Sequence, residues 1–177
     1  VLSHLHPSID HVGSTSLEDI AAKPIIDILV GLERESELDD TIKPMQGAGY
    51  TYVEKFTSGM PYRRFFVKLI ALSSESLPLV IRSEDALAFG RQYDTLANIH
   101  IMEKGTYHWM RHIAFRNYLL AHPEVRHAYE ELKRNIAEID FDDPLEYNTH
   151  KEAFIGEHQE KAIAWFISRR DIGAGSK

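Results

Sequence analysis

Residues 24–32 read PIIDILVGL. Ile25, Ile26, Ile28, Leu29 and Val30 make a β-branched apolar run of the kind buried on both faces of a sheet, and one acid, Asp27, stands inside it. Burying a carboxylate is costly unless a cation or hydrogen bonds compensate. A fold that accepts this strand must therefore bring compensation to Asp27. Lys23-Pro24 bars a helix from running into the strand, because proline cannot continue a helix and pushes the residue before it toward extended geometry. Upstream, Gly13 allows close approach to the backbone, and Ser14, Thr15 and Ser16 offer hydroxyls and free amides. Ser16 with Asp19 three residues later has the spacing of an N-cap and its acidic partner, which predicts a short helix over Leu17–Ala22. The order of loop, helix N-terminus and buried strand would set phosphate-binding amides beside a metal-binding carboxylate. The plainer alternative is that Asp27 only tethers a neighbouring loop.

Hydropathy periodicity supplies the other elements. A helix is expected over Ser36–Gln46, closed by Gly47 and Gly49, and then a strand at Tyr50–Val53 and a turn at Thr57–Pro61. The strand over Tyr62–Leu72 puts Arg63, Phe65, Val67 and Leu69 on one face and Arg64, Phe66, Lys68 and Ile70 on the other. Arg64 and Lys68 are then either a cationic wall for a phosphate or two solvated charges. Within Ser73–Ala97 a strand at Leu79–Ile81 and a helical turn at Glu84–Phe89 are the readable pieces. Asn98–Met102 reads as a strand in which His100, between apolar neighbours, is a metal ligand, a general base, a phosphate contact or a core histidine. Helices follow at Tyr107–Ala121 and from Pro123. Then come an acidic loop over Asp140–Asn148, a last helix and a frayed tail from Ile172 to Lys177.

HVGSTS followed by AAKPIIDILVGL resembles the signature of the GrpB-like family, whose members share the nucleotidyltransferase fold of the DNA polymerase β superfamily. YRRFFVK at Tyr62–Lys68, His100 within NIHIMEKG, and HWMRHIAFRNYLLAHPEVRHAYEELK extend the likeness over most of Ile9–Phe166. The resemblance implies an α/β (α+β) fold: a small mixed sheet flanked by helices with a helical C-terminal part, in one domain over residues 1–170 and a tail over 171–177. In the superfamily a Gly-Ser turn opens a helix and the next strand carries two alternating acids that hold magnesium beside a nucleoside triphosphate. Gly13 and Ser14 match the turn and Asp27 matches the first acid, but position 29 is Leu. Acids at i and i+2 are what point two carboxylates to one face, and a single acid still suffices for one Mg²⁺ that keeps its waters. Two departures stand out: Ser73–Ala97 is longer than the family connection, and the segment that usually precedes the Gly-Ser motif is largely absent. With Val at position 1, that suggests a truncated start.

The 177 residues carry 20 basic and 27 acidic side chains, a net charge of −7, which argues against a general nucleic-acid coat. Without cysteine, thiol chemistry and disulfides are excluded, and a cytoplasmic location is expected. No stretch approaches the ~20 apolar residues of a membrane helix, and no secretory leader is evident. GxxxxGK and GxGxxG turns are absent, as is a GxSxG elbow. His108 and His112 have the i, i+4 spacing of a helical zinc pair, but Trp109 stands where HExxH places its glutamate.

Two functions follow from these expectations. In the first, a metal-dependent nucleotidyltransferase, Gly13, Ser14 and Ser16 hold the triphosphate, and Asp27 binds Mg²⁺ or Mn²⁺. Lys23, Arg64 and Lys68 neutralise phosphates, and His100 completes the site. In the second, the chain is a catalytically degenerate module that keeps a pocket for a nucleotide or other phosphorylated small molecule. Family members joined to dephospho-coenzyme A kinase imply a nucleotide-related role by analogy. Position 29 separates the two, unless Glu103 reaches the same metal.

Overall fold

The computed structural model describes residues 1–17, 20, 22–72, 74, 76–85, 92–137 and 144–174. Six strands make one mixed sheet: β1 (Ser8–Val12), β2 (Ile26–Leu32), β3 (Thr51–Val53), β4 (Arg63–Ala71), β5 (Val80–Ile81) and β6 (Tyr93–Glu103), in the spatial order β1-β2-β6-β4-β3-β5. β2 and β6 are parallel neighbours at its centre, flanked by antiparallel β1 and β4. Among the described residues there are four α-helices: α1 (Ile42–Gly47), α2 (Tyr107–Ala121), α3 (Pro123–Ala137) and α4 (Pro144–Ala174). The mixed α/β architecture with a helical C-terminal part is the one expected.

Strand register assigns each side chain to a face. Cα partners across the sheet run Val12, Asp27, Asn98, Val67 in one row and Asp10, Leu29, His100, Phe65 in the next same-facing row. That face meets the C-terminal helices, through Val12, Leu29, Met102 and Ile113 with Trp109 and Phe166 against them. The opposite face carries the larger apolar cluster, in which Val30, Leu32, Phe66, Ile99 and Ile101 pack with Leu38, Met45 and Tyr52. At Gly31 a Cβ would fall 2.8 Å from Trp109 Nε1, so the missing side chain lets α2 approach β2.

Local chemistry explains the helix bounds. Thr106 Oγ1 accepts the Trp109 amide at 3.3 Å and starts α2, while Pro123 opens α3 as a first-turn proline. Four expectations need correction. The helix over Ser36–Gln46 is broken into 3₁₀ turns at Glu35–Glu37 and Asp39–Thr41 before α1, since Pro44 is tolerated only in a first turn and holds the α-helical start to Ile42. β6 begins at Tyr93 rather than Asn98, because the polar residues 94–95 pair with β4. Residues 144–148 of the expected acidic loop already belong to α4, with Pro144 at its start, and α4 continues through Ala174 of the expected tail; 140–143 and 175–177 lie outside the described residues. Of the expected turn over 84–89, residues 86–89 are likewise outside, and Asp85 accepts the Arg82 amide at 2.6 Å in a turn.

Candidate functional site

β1 ends at Val12 and the chain reverses through Gly13 (φ 71°) into one 3₁₀ turn, Ser14–Ser16. Ser16 Oγ donates back to the Gly13 carbonyl at 2.6 Å, and Thr15 Oγ1 donates to the Ile25 carbonyl at 3.3 Å, which ties the turn to the start of β2. Leu17 is extended (φ −107°, ψ 127°) and Ile20 is not helical, so the helix expected over Leu17–Ala22 does not form at these positions. Ser16 is not its N-cap, because its hydroxyl closes the preceding turn; Asp19 lies outside the described residues. Glycine at position 13 is dictated twice, by its left-handed φ and because a Cβ would sit 2.8 Å from Asp27 Cγ. The Gly-Ser turn therefore rests on the acid.

Asp27 is partly buried and accepts a 2.8 Å hydrogen bond from Asn98 Nδ2 on β6. Burial pushes its pKa upward, against the Asn98 bond and the positive charges of Lys151, His11 and Lys133. Lys133 of α3 is only 8% exposed, and burial followed by the charge of Lys151 lowers its pKa. Lys151 of α4 is also lowered by burial, partly offset by Asp27, with Lys23 adding repulsion. Positive charge carried by α3 and α4 thus acts on the carboxylate. Leu29, at the place of the second acid, is fully buried in an apolar cluster. Glu103 does not replace it: it lies on the other face of β6, five positions past Asn98, and accepts the Glu35 amide at 3.1 Å. Among the described residues no three His, Cys, Asp or Glu side chains converge as a metal-binding group. A divalent ion at Asp27 would have this one carboxylate, with waters and ligand phosphates completing its shell, against the positive charges of Lys151 and Lys133.

His100 lies one same-face position along β6 from Asn98, so the structure brings it toward Asp27 as expected. Arg63 Nη1 is 3.2 Å from His100 Nδ1, and the ring contacts Phe65 and His112 with centroid separations of 4.9 and 5.5 Å. Burial, with the charges of His112, Arg63 and Arg111, holds the His100 pKa well below the ordinary histidine value. A neutral ring that accepts from Arg63 follows. His112 is lowered to about 4, first by burial and then by Arg111 and Arg63. His108 instead stacks on Tyr62 at 3.5 Å, so the i, i+4 pair does not converge as a zinc site.

Between the Gly13–Ser14 turn and helices α2, α3 and α4 is a cavity of about 240 Å³. Its polar wall is Ser14, Arg111, His112, Arg116 and Gln159, and Phe115, Leu119, Tyr129 and Ile155 give it an apolar side. Arg116 is engaged, with Nη1 3.3 Å from Asp10 Oδ1 and donating to the His11 carbonyl at 2.8 Å. Arg111 Nε and His112 Nε2 are buried with no hydrogen-bond partner among the described residues.

Arg64 and Lys68 share a face with each other but not with Asp27. Arg64 Nε donates to Asp39 Oδ1 at 2.7 Å and its Nη1 donates to the Pro61 carbonyl at 2.9 Å. Lys68 Nζ donates to the Gly49 carbonyl at 2.9 Å and lies 5.0 Å from the Tyr50 ring centroid. The expected cationic wall beside the acid is corrected: these side chains fasten the α1 side of the sheet, because register places the Phe66 row there. Lys23 stays on the Asp27 side, acting on Lys151. Arg63, Arg111, Lys133 and Lys151 were not singled out from the sequence. Strand alternation paired Arg63 with Phe65, but only the register with β6 shows which face that is.

The GrpB protein family matches residues 1–161. The chain belongs to the GrpB family. It is 31% identical to the UPF0157 protein YqkA of Bacillus subtilis, over 93% of this chain and 41% of that protein. It is also 31% identical to the glutamate-rich protein GrpB of Alkalihalophilus pseudofirmus, over 84% of this chain and 75% of the relative. The crystal structure of the conserved protein GrpB from Enterococcus faecalis superposes with a TM-score of 0.67 at 29% identity, over 90% of this chain and 81% of that one. A more distant relative, 28% identical over 89% of this chain and 39% of its own length, is named dephospho-CoA kinase in Mycolicibacterium paratuberculosis. This GrpB chain thus spans about two fifths of YqkA and of the kinase-named relative. None of its described helices is long and apolar enough to cross a membrane.

Proposed function

We propose that this GrpB protein binds a phosphorylated small molecule, a nucleotide or a compound derived from one, in the cavity between the Gly13–Ser14 turn and α2. The observation that carries this reading is Arg111: its Nε is buried beside the cavity with no hydrogen-bond partner among the described residues. A guanidinium in that state is costly until an anion meets it, and phosphate offers the bidentate geometry that arginine prefers. Ser14 and Gln159 add hydrogen-bonding groups, while Phe115 and Tyr129 offer an apolar wall to the rest of the ligand. The name of the kinase-like relative supports a nucleotide-related ligand.

Calorimetric titration with ATP, ADP and pyrophosphate tests the reading. Binding that weakens about 10- to 100-fold in Arg111→Met is expected from loss of one charged phosphate contact, with Arg64→Met as the control that leaves it unchanged. Absence of binding by all three compounds overturns it. A second reading, metal-dependent nucleotidyl transfer on a nucleotidyltransferase-like fold, is favoured by the contact of the Gly13 turn with Asp27. It requires that nucleotide binding depend on Mg²⁺ or Mn²⁺ and disappear in Asp27→Ala.

A further inference from the structure

The groups on the cavity wall set how much phosphate it can hold. We propose that the ligand is a phosphate monoester, one phosphate group on a ring-sized apolar moiety as in a nucleoside monophosphate, and not a di- or triphosphate. This inference rests on the phosphate-ligand reading above and names the substrate class of that same site.

Two guanidinium groups line the cavity, those of Arg111 and Arg116. Arg116 is already met, by Asp10 Oδ1 at 3.3 Å and by the His11 carbonyl, to which it donates at 2.8 Å. Arg111 is not: no carboxylate stands among the described lining residues, and its Nε is buried with no hydrogen-bond partner among the described residues. One guanidinium matches one phosphate group through two parallel hydrogen bonds. Ser14 and Gln159 add hydrogen-bonding groups without charge. His112 is uncharged at pH 7, since burial and then Arg111 and Arg63 hold its pKa to about 4. A second phosphate group therefore finds no further uncommitted cation on the described wall, and an anion taken out of water unpaired is costly.

The rest of the wall fixes the other half of the ligand. Leu17, Leu119 and Tyr129 are buried, and Phe115 meets Tyr129 edge-on with ring centroids 5.9 Å apart. Ile155 of α4 completes this apolar side. At about 240 Å³ the cavity is smaller than the roughly 300–1,000 Å³ of most small-molecule sites. That space suits a phosphate and one ring, and the ring gains affinity from the apolar area it buries against Phe115.

The unmodified chain is titrated calorimetrically with phenyl phosphate, AMP, ADP, ATP and glycerol phosphate, once in EDTA and once in Mg²⁺. Phenyl phosphate and AMP are expected to bind about tenfold or more tighter than glycerol phosphate, and ADP and ATP no tighter than AMP. Arg111→Met is expected to weaken all of them alike. Phe115→Ala is expected to bring phenyl phosphate down to the affinity of glycerol phosphate. Melting curves establish that each variant is folded, and the comparison among ligands needs no variant. Three results overturn the monoester class and leave phosphate binding standing: ADP or ATP about tenfold or more tighter than AMP, glycerol phosphate as tight as phenyl phosphate, or an undiminished preference for phenyl phosphate in folded Phe115→Ala. No binding of any ligand in either condition overturns both readings.

Discussion

Arg63 and Arg64 are adjacent in the chain and belong to different chemistries. Arg63 turns toward the helical layer, where its guanidinium meets His100, whereas Arg64 turns to the other side and pairs with Asp39, whose side chain is 73% exposed. The same contrast separates the two faces of the whole sheet. One carries Asp27, Asn98, His100 and Arg63 under a helical roof, and the other carries a nearly continuous apolar cluster centred on Phe66 and Ile101. A strand alternates its side chains, so a single element can supply a polar site and a hydrophobic foundation at once. The apolar face contributes stability through buried area; the helical face gives some of it up to hold charges out of water.

The largest effect is expected on the apolar face. Phe66 is fully buried, and Phe66→Ala is expected to cost about 3–5 kcal/mol of unfolding free energy in urea titrations, with ligand affinity unchanged in the protein that remains folded. Altered affinity there would show that the two faces are not separable. The helical face contributes a pH dependence instead. Folded His112 titrates near 4 and an unfolded histidine near 6.5, so the unfolded chain takes up the extra proton between those values. Stability is therefore expected to fall as pH drops from about 6.5 toward 4, by up to about 3 kcal/mol from this group. His112→Gln should flatten that slope in denaturant midpoints measured across the range, and an unchanged slope would assign it elsewhere.

Gly13→Ala tests the junction between the turn and the acid. A left-handed backbone with a Cβ pressed on Asp27 is expected to cost about 1–3 kcal/mol and to weaken pyrophosphate binding in calorimetry. Wild-type affinity would detach the turn from the site. The smallest effect belongs to Arg64→Met. An ion pair with so exposed a partner is worth about 0–1 kcal/mol, so the melting temperature is expected to move little and the binding isotherm not at all.

The elements legible in the sequence were those with strong local signals. The β2 run, the strand read over Tyr62–Leu72 and seen at Arg63–Ala71, and the helices at Tyr107–Ala121 and from Pro123 appear in place, since alternation, periodicity and prolines act within a few residues. Gly13 was legible as a point of close approach, but that the Asp27 side chain is what meets it came from the fold. One local signal misled. Ser16 had the spacing of an N-cap, yet its hydroxyl closes the Gly13 turn, because a side-chain to backbone bond over three residues competes with helix initiation.

By itself the sequence determined that a buried strand carries one acid beside a Gly-Ser turn, that no second acid follows it, and that the chain belongs to the GrpB family. Only tertiary structure decided which charges share a space with that acid. Arg64 and Lys68, prominent on their strand, lie on the far face. Lys133 and Lys151, more than a hundred residues away from Asp27 in the chain, act on it from α3 and α4. The reason is physical: alternation fixes which side chains of one strand agree, but register between strands and the docking of helices fix what each face meets.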